Sequence, residues 1–288
     1  MFFIFGSSGF IGSKLKERLI EKFGSKEVFF VGKKYKNKTV DLGKNKIFED
    51  LPRLKYKNIY ILAGKSDFIF NNRIAEKAQV NKNVKIVKKI IKFCKNCKVE
   101  RVFFFSSSAI YSIKNKLPYR ENQTINPNNS LGKSKYRSEK IIKKFFNKSN
   151  TKVVILRIFT VYGNNMRKTQ FLHQAIKKFK SNKKILTFWN KDTLRNFIHI
   201  DDLLNIVVKL SKINTPKYTI YNIGSNKSYK IKTIVNYLNN FQKKKKKIVY
   251  KDNKNNLDHV VDTSKIKKKI SINFRNFKRE LFKTYEEI

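Results

Sequence analysis

Phe2-Phe3-Ile4-Phe5-Gly6-Ser7-Ser8-Gly9-Phe10-Ile11-Gly12 is the stretch whose reading decides the fold. Four apolar residues run into three glycines at three-residue spacing. The next segment, 13–23, keeps helical periodicity with Leu15, Leu19, Ile20 and Phe23 on one face. A strand that ends in a glycine-rich turn and opens a helix is a dinucleotide-binding arrangement. The first glycine permits the tight turn, the second lets backbone approach a pyrophosphate, and the third lets the helix pack close to the strand. The helix N-terminus then offers N–H groups and a partial positive charge to the phosphates. Gly6, Ser8, Gly9, Phe10, Ile11 and Gly12 are therefore candidate cofactor contacts.

Strand and helix signals alternate outward from this turn. Strands are predicted at 28–32, 59–62, 102–106 and 153–159, and helices at 75–94 and 133–147. Continuous apolar runs such as Val102-Phe103-Phe104-Phe105 and Val153-Val154-Ile155-Leu156 suit a parallel sheet covered on both faces. The pattern predicts an α/β fold with a doubly wound parallel sheet, the Rossmann arrangement, in which ligands collect at the carboxyl ends of the strands. Those ends are 6–12, 32–35, 63–67, 106–111 and 160–163. The second half is less regular, with helices at 171–179 and 232–241, a strand at 218–223, and Asp201-Asp202 opening a helix. This assigns residues 1–163 to a dinucleotide-binding domain, with 196–212 returning to it, and 164–288 to a smaller, mixed substrate-binding region.

Composition sets the outer bounds. The 288 residues are 40% hydrophobic, enough for a sizeable core. No apolar run approaches the roughly 18 residues of a membrane span, and the opening apolar run is too short for a signal peptide. A cytoplasmic protein is expected. Lys and Arg number 67 against 20 Asp and Glu, a net charge of +47. Such a field attracts polyanions without specificity. The basic residues are spread along the whole chain, and only 243–247 is a compact run, so the charge reads as compositional bias. Cys94 and Cys97 form a C-x-x-C. A structural zinc site needs four ligands, and His173, His199 and His259 lie far off in sequence. The pair reads as reduced thiols at a helix end, and no metal is expected. His199 and Trp189 read as packing residues.

In their order along the chain, these strand-end motifs resemble the extended short-chain dehydrogenase/reductase family, in particular its NAD-dependent nucleotide-sugar epimerase, dehydratase and reductase branch. Gly6 to Gly12 resembles the family's cofactor turn, and Asp41-Leu42 the pair that contacts adenine. Ile61-Leu62-Ala63-Gly64 resembles the strand behind the cofactor, and Asn81 stands where the family's long-helix asparagine does. Phe105-Ser106-Ser107-Ser108-Ala109-Ile110-Tyr111 resembles the catalytic-serine strand. Pro127 through Leu131-Gly132-Lys133-Ser134-Lys135 to Glu139 resembles the Tyr-Gly-x-Ser-Lys helix start. Leu156 to Gly163 resembles the next strand and turn, and Arg195 to Asp202 the basic segment that reaches the substrate's phosphates.

The resemblance implies a reductase or epimerase acting on a nucleotide sugar by hydride transfer, working as a homodimer paired through the helices near 81–94 and 133–147. In the family a tyrosine moves a proton, a lysine one helical turn on lowers its pKa and holds the nicotinamide ribose, and a serine polarises the substrate oxygen. Lys135 is in place, Ser107 is the serine and Ser108 the second choice. The tyrosine position is Leu131, which has no proton to give. Tyr136 with Lys140 would restore the spacing only by shifting every flanking landmark by five residues, and Tyr111 or Tyr119 could reach in from loops. Thr160 stands where many relatives carry a substrate-binding asparagine, and Arg195 is a further substrate contact. At the end of the second strand, Gly32-Lys33-Lys34 offers cations and no acid, which favours NADP(H) over NAD(H). Two alternatives stay open: a catalytically silent NADP(H)-binding protein, on the evidence of Leu131, and a nucleic-acid-binding relative on the same scaffold, on the evidence of the charge.

Overall fold

A strand with phenylalanine on both faces needs cover on both faces. In the computed structural model, which describes residues 1–35, 38–44, 46–69, 72–253 and 257–288, Phe2, Phe3, Ile4 and Phe5 are at most 5% exposed. In chain order the elements are β1 (Phe2–Phe5), α1 (Phe10–Phe23), β2 (Val28–Val31), the two-residue strands β3 (Lys34–Tyr35) and β4 (Lys38–Thr39), α2 (Lys46–Glu49), β5 (Lys55–Ile61), α3 (Arg73–Lys95), β6 (Lys98–Ser107), α4 (Ser130–Phe146), β7 (Lys152–Ile158), β8 (Thr160–Tyr162), α5 (Phe171–Lys180), β9 (Ile185–Trp189), β10 (Leu194–His199), α6 (Ile200–Lys212), β11 (Tyr218–Ile223), β12 (Ser228–Lys230), α7 (Ile231–Asn240), β13 (Lys247–Lys251), α8 (Ser264–Lys267) and α9 (Phe277–Glu287).

Six strands form one sheet in the order β11-β7-β6-β5-β1-β2. The β2–β1, β1–β5, β5–β6 and β6–β7 pairs are all parallel. This is the expected doubly wound Rossmann arrangement. After β2 the chain crosses to the other side of β1, so the winding reverses between β1 and β5. One face of the sheet buries Phe3, Phe5, Ile59 and Ile61 against Ile90, Ile91 and Phe93 of α3. Phe3 meets Tyr56 edge-on at 5.5 Å and Phe5 meets Phe93 at 5.7 Å. Each such side chain contributes roughly 1.5–3 kcal/mol relative to leaving it in water.

Helices α1, α3 and α4 start earlier than periodicity predicts. For α3 and α4 the reason is an asparagine cap. Asn72 Oδ1 accepts from Ala75 N at 2.9 Å and Asn129 Oδ1 from Gly132 N at 2.9 Å. Leu131 therefore lies inside the first turn of α4 rather than before it.

The chain divides into two compact units. The first comprises Met1–Asn115, Glu121–Ile158 and Ile206–Asn222; the second comprises Lys116–Arg120, Phe159–Asn205 and Ile223–Ile288. In the second, β10 pairs parallel to β8 and antiparallel to β12, and β9 pairs parallel to β13. Strands β9 and β13 and helix α9 lie outside the sequence expectations. Trp189 is a correction: it is not core but 49% exposed. In the two-stranded β9–β13 sheet, alternation turns Leu186 and Phe188 inward and leaves Ile185 and Trp189 outward. Asp201 and Asp202 do open a helix, α6. Among the described residues no helix is long and apolar enough to cross a membrane, and both cysteines are free thiols, with burial raising each.

Candidate functional site

The glycine turn sits where the winding reverses. Gly6 has φ +100°, and a Cβ there would lie 2.7 Å from the backbone nitrogen of Ala63, at the end of β5. The ends of β1 and β5 thus touch through bare backbone. A Cβ on Gly12 would lie 2.1 Å from the Gly6 carbonyl oxygen, so only glycine lets α1 start this close to β1. Gly9 differs. Its φ is an ordinary −79°, and a Cβ there would sit 3.5 Å from the Gly6 carbonyl oxygen, an ordinary contact. The protein itself makes no steric demand for glycine at that position.

No side chain caps α1, and no acidic residue lies in its first turn. The N–H groups of Phe10 and Ile11 point out of an uncapped helix end beside the exposed Ser8 and Gly9. Helices α3 and α4, by contrast, are both capped by asparagine. An uncapped N-terminus opening on a strand crevice is an anion site in waiting. Ser8 Oγ accepts from Lys33 N at 3.0 Å, which ties the turn to the end of β2.

Lys33 and Lys34 follow β2 and are exposed. Asp41 is exposed too. Its Oδ1 accepts from Gly43 N at 2.8 Å, and this bond holds its carboxyl below the usual range. Leu42 beside it is 8% exposed. Leu62 is half-buried, Ala63 is buried, and Gly64 is exposed at φ +132°.

Asn81 faces solvent on α3, and the asparagine that turns inward is Asn83. Two residues are about 200° of helix. Asn83 Oδ1 accepts from Lys65 N and its Nδ2 donates to Lys65 O, both at 2.8 Å, and Nδ2 also lies 3.2 Å from Ser134 Oγ. One amide thereby joins the loop after β5 to α3 and α4.

Ser107 ends β6, and its Oγ accepts from Ala109 N at 3.2 Å. Ser108 begins a single 3-10 turn. A Cβ on Gly132 would lie 2.1 Å from Ala109 O, so the start of α4 is pressed against that turn. Leu131 is 6% exposed. One turn on, Lys135 Nζ donates to Phe105 O at 2.6 Å and lies 4.9 Å over the Phe104 ring. Burial brings this ammonium down to about 8, with Glu139 pulling the other way.

The sequence offers two tyrosines in this unit, Tyr136 and Tyr111. Tyr136 has Lys140 Nζ 4.5 Å over its ring. Tyr111 OH donates to Asn222 Oδ1 at 2.6 Å and receives Arg157 Nη1 at 3.2 Å, and burial pushes its phenol up to about 12. Behind it, Arg157 and Glu139 form an ion pair at 2.9 Å with both side chains almost fully buried, and Ser106 Oγ donates to Glu139 at 2.5 Å. Sequence reasoning missed this network, whose members are scattered over 106–222. Tyr119 belongs to the second unit, where it pairs with Val261.

In the second unit, Thr160 begins β8, half-buried, and Arg195 lies in β10 with Nη1 donating to Leu257 O. Arg195 also lines a cavity of about 280 Å³ with Phe171, Lys178, Phe188, Trp189 and Asn253. Burial lowers the Arg195 guanidinium, which nonetheless stays charged. His199, at the end of β10, lies 3.7 Å from Asp201, and burial lowers it.

ADP-L-glycero-D-manno-heptose-6-epimerase of Brachyspira hyodysenteriae is 26% identical over 244 residues, which are 78% of this chain and 76% of that protein. UDP-glucuronic acid 4-epimerase from Bacillus cereus, solved with UDP-glucuronic acid and NAD, matches at TM-score 0.81 and 20% identity, over 99% of this chain and 98% of that one. RMD from Pseudomonas aeruginosa, solved with NADPH, matches at TM-score 0.85 and 16% identity, over 100% and 99%. These likenesses carry the fold. The family model for NAD dependent epimerases and dehydratases matches residues 2–224, and with that span the chain belongs to the NAD dependent epimerase/dehydratase family.

Proposed function

We propose that this chain binds a nicotinamide dinucleotide, NADP(H) in preference to NAD(H), and uses it on a nucleotide sugar as a reductase or epimerase. The observation that carries the reading is the uncapped start of α1 at the reversal point, with bare glycine where a ligand would lie. The residues present fit such a group. Gly6, Ser8, Gly9, Phe10, Ile11 and Gly12 would hold the pyrophosphate, Asp41 and Leu42 the adenine, and Lys33 and Lys34 a 2′-phosphate. Leu62, Ala63 and Gly64 would back it. The inward amide at this place is Asn83, which braces the loop at Lys65.

When bound, the nicotinamide supplies or takes the hydride. Lys135 would hold the ribose and keep a cation beside the reacting oxygen, and the Ser107 hydroxyl, with Ser108 near it, would donate to that oxygen. Thr160 and Arg195 would be substrate contacts, Thr160 through its hydroxyl to a phosphate or sugar and Arg195 as the cation for the nucleotide phosphates. Leu131 supports a second reading, a protein that binds both partners but turns over slowly or not at all, because the usual proton donor is absent.

Calorimetric titration with NADPH and NADH, in enough salt to screen unspecific anion binding, tests the cofactor assignment. Saturable binding with NADPH the tighter is expected, and no binding of either would end both readings. Pairing through α3 and α4 would bring the exposed Lys82, Lys85, Lys88 and Lys92, and Lys140, Lys143 and Lys144, against their copies. A dimer of that kind should strengthen with added salt, read by sedimentation. One that weakens with salt is built on another surface.

A further inference from the structure

Helices α3 and α4 lie side by side in the first unit. Gln79 Nε2 donates to Ser130 Oγ at 3.0 Å, Asn83 Nδ2 donates to Ser134 Oγ at 3.2 Å, and Glu76 pairs with Lys133 at 2.9 Å. Their outer surfaces are cationic. Lys88, Lys92 and Lys95 are exposed on one stripe of α3, and Arg137, Lys140 and Lys144 on one stripe of α4. Each stripe runs for about two turns, roughly 10 Å, beside the other.

Carboxylates do not offset these stripes. Glu76, the only acid of α3, is held by Lys133, and Glu139, the only acid of α4, is buried against Arg157. Asp41 meets the face at Lys82, 3.8 Å away, outside both stripes. A lysine-rich composition does not by itself produce such a surface. On α1, Glu17 lies 3.0 Å from Lys14 and Glu21 lies 3.7 Å from Arg18, the mixed pattern of an ordinary solvated helix.

The same face carries an apolar side chain where water should be. Ile74, in the first turn of α3, is 84% exposed. Five turns of helix take about eighteen residues, so Ile74 lies on one line with Lys92. A second copy of the chain would set the cationic stripes against like charges. A nucleic acid would meet the cations but leave Ile74 in water, and no aromatic of α3 or α4 is exposed to stack on a base. A membrane surface meets both features. Anionic headgroups take the cations, and the boundary with the acyl chains takes the isoleucine. We propose that the α3–α4 face docks this protein on an anionic lipid surface.

Net charge alone draws the chain to any anionic surface, so position has to be tested against charge. The full chain is sedimented with vesicles of phosphatidylcholine, and of phosphatidylcholine with about one-third phosphatidylserine. The triple variant Lys88→Glu, Lys92→Glu, Lys95→Glu is set beside Lys243→Glu, Lys244→Glu, Lys245→Glu, which makes the same change of charge at exposed residues of the second unit. Expected is binding to the anionic vesicles alone. The α3 triple should lose at least about a hundredfold, each cation being worth roughly fivefold, and the other triple less than about tenfold. Ile74→Ser should lose roughly three- to tenfold. Equal losses from the two triples would reduce the binding to net charge and overturn the role of this face. A folded chain that ignores anionic vesicles would overturn docking altogether. Tighter binding to RNA than to vesicles, indifferent to Ile74→Ser, would give the cations to nucleic acid instead. A wild-type dimer that the α3 triple dissociates would make the face a contact between copies and end the lipid assignment.

Discussion

The glycine turn at 6–12 and the start of α4 at 129–135 meet the same steric demand in different ways. Gly12 and Gly132 are each forced, because a Cβ would lie 2.1 Å from a carbonyl oxygen. In the proposed site the turn would act through backbone N–H groups, which come with the fold. At α4 the proposal would need a side-chain hydroxyl, and Leu131 stands there while Asn129, Gly132, Ser134 and Lys135 keep the helix start intact. A fold enforces chemistry carried by its backbone. It does not enforce a hydroxyl: Leu131 is accommodated there, 6% exposed.

The strongest test of this contrast is Leu131→Tyr. If the rest of the site is poised, restoring the hydroxyl should raise hydride transfer roughly 10²- to 10⁴-fold. The readout is nicotinamide absorbance with UDP-glucose or UDP-glucuronic acid as trial substrates. Intact cofactor binding with no gain would mean that Ser107 and Lys135 are not arranged to use it.

The glycines give the next largest effect. Gly12→Ala and Gly132→Ala should each cost on the order of 3 kcal/mol, a fall in Tm of about 6–12 °C. Gly9→Ala should leave Tm nearly unchanged and weaken dinucleotide binding instead. If Gly9→Ala unfolds the protein, its role is structural and the contrast within the turn disappears.

Lys135 sharpens the comparison through pH. Its folded value, about 8, lies below the ordinary lysine value of 10.5. Between those values the unfolded chain binds more protons than the folded one, so this group's contribution to stability rises with pH across that window and is flat below it. Denaturant melts of wild type and Lys135→Met should therefore show the difference favouring Met shrinking above pH 8. A pH-independent difference would put Lys135 in contact with water. The smallest effect is Ser8→Ala, which removes the bond from Lys33 N at an exposed position. About 0.5–1 kcal/mol is expected, seen as a small shift in the denaturation midpoint.

The legible parts of this molecule are those set by local pattern. Apolar runs mark the parallel strands, and three glycines at three-residue spacing locate the turn. Helix phase is less accessible. Asn81 and Asn83 are equally polar and two positions apart on α3, and only packing against Lys65 and Ser134 decides which one turns inward. Tryptophan is usually core, which is the expectation Trp189 breaks. Its exposure follows from the pairing of β9 with β13, a segment some sixty residues further along the chain. The Arg157–Glu139–Ser106 network is invisible along the chain for the same reason.

By itself, the sequence determined the doubly wound sheet, the place of the glycine turn after β1 and a leucine, with no hydroxyl, at position 131. These depend on residue type and short spacing, which act within a few residues of chain. The tertiary structure alone decided which asparagine braces the loop after β5, which tyrosines are locked away, and which aromatic of β9 is left exposed at the cavity. Those outcomes depend on contacts between segments far apart in sequence, where burial and hydrogen-bond satisfaction choose among residues that look alike along the chain.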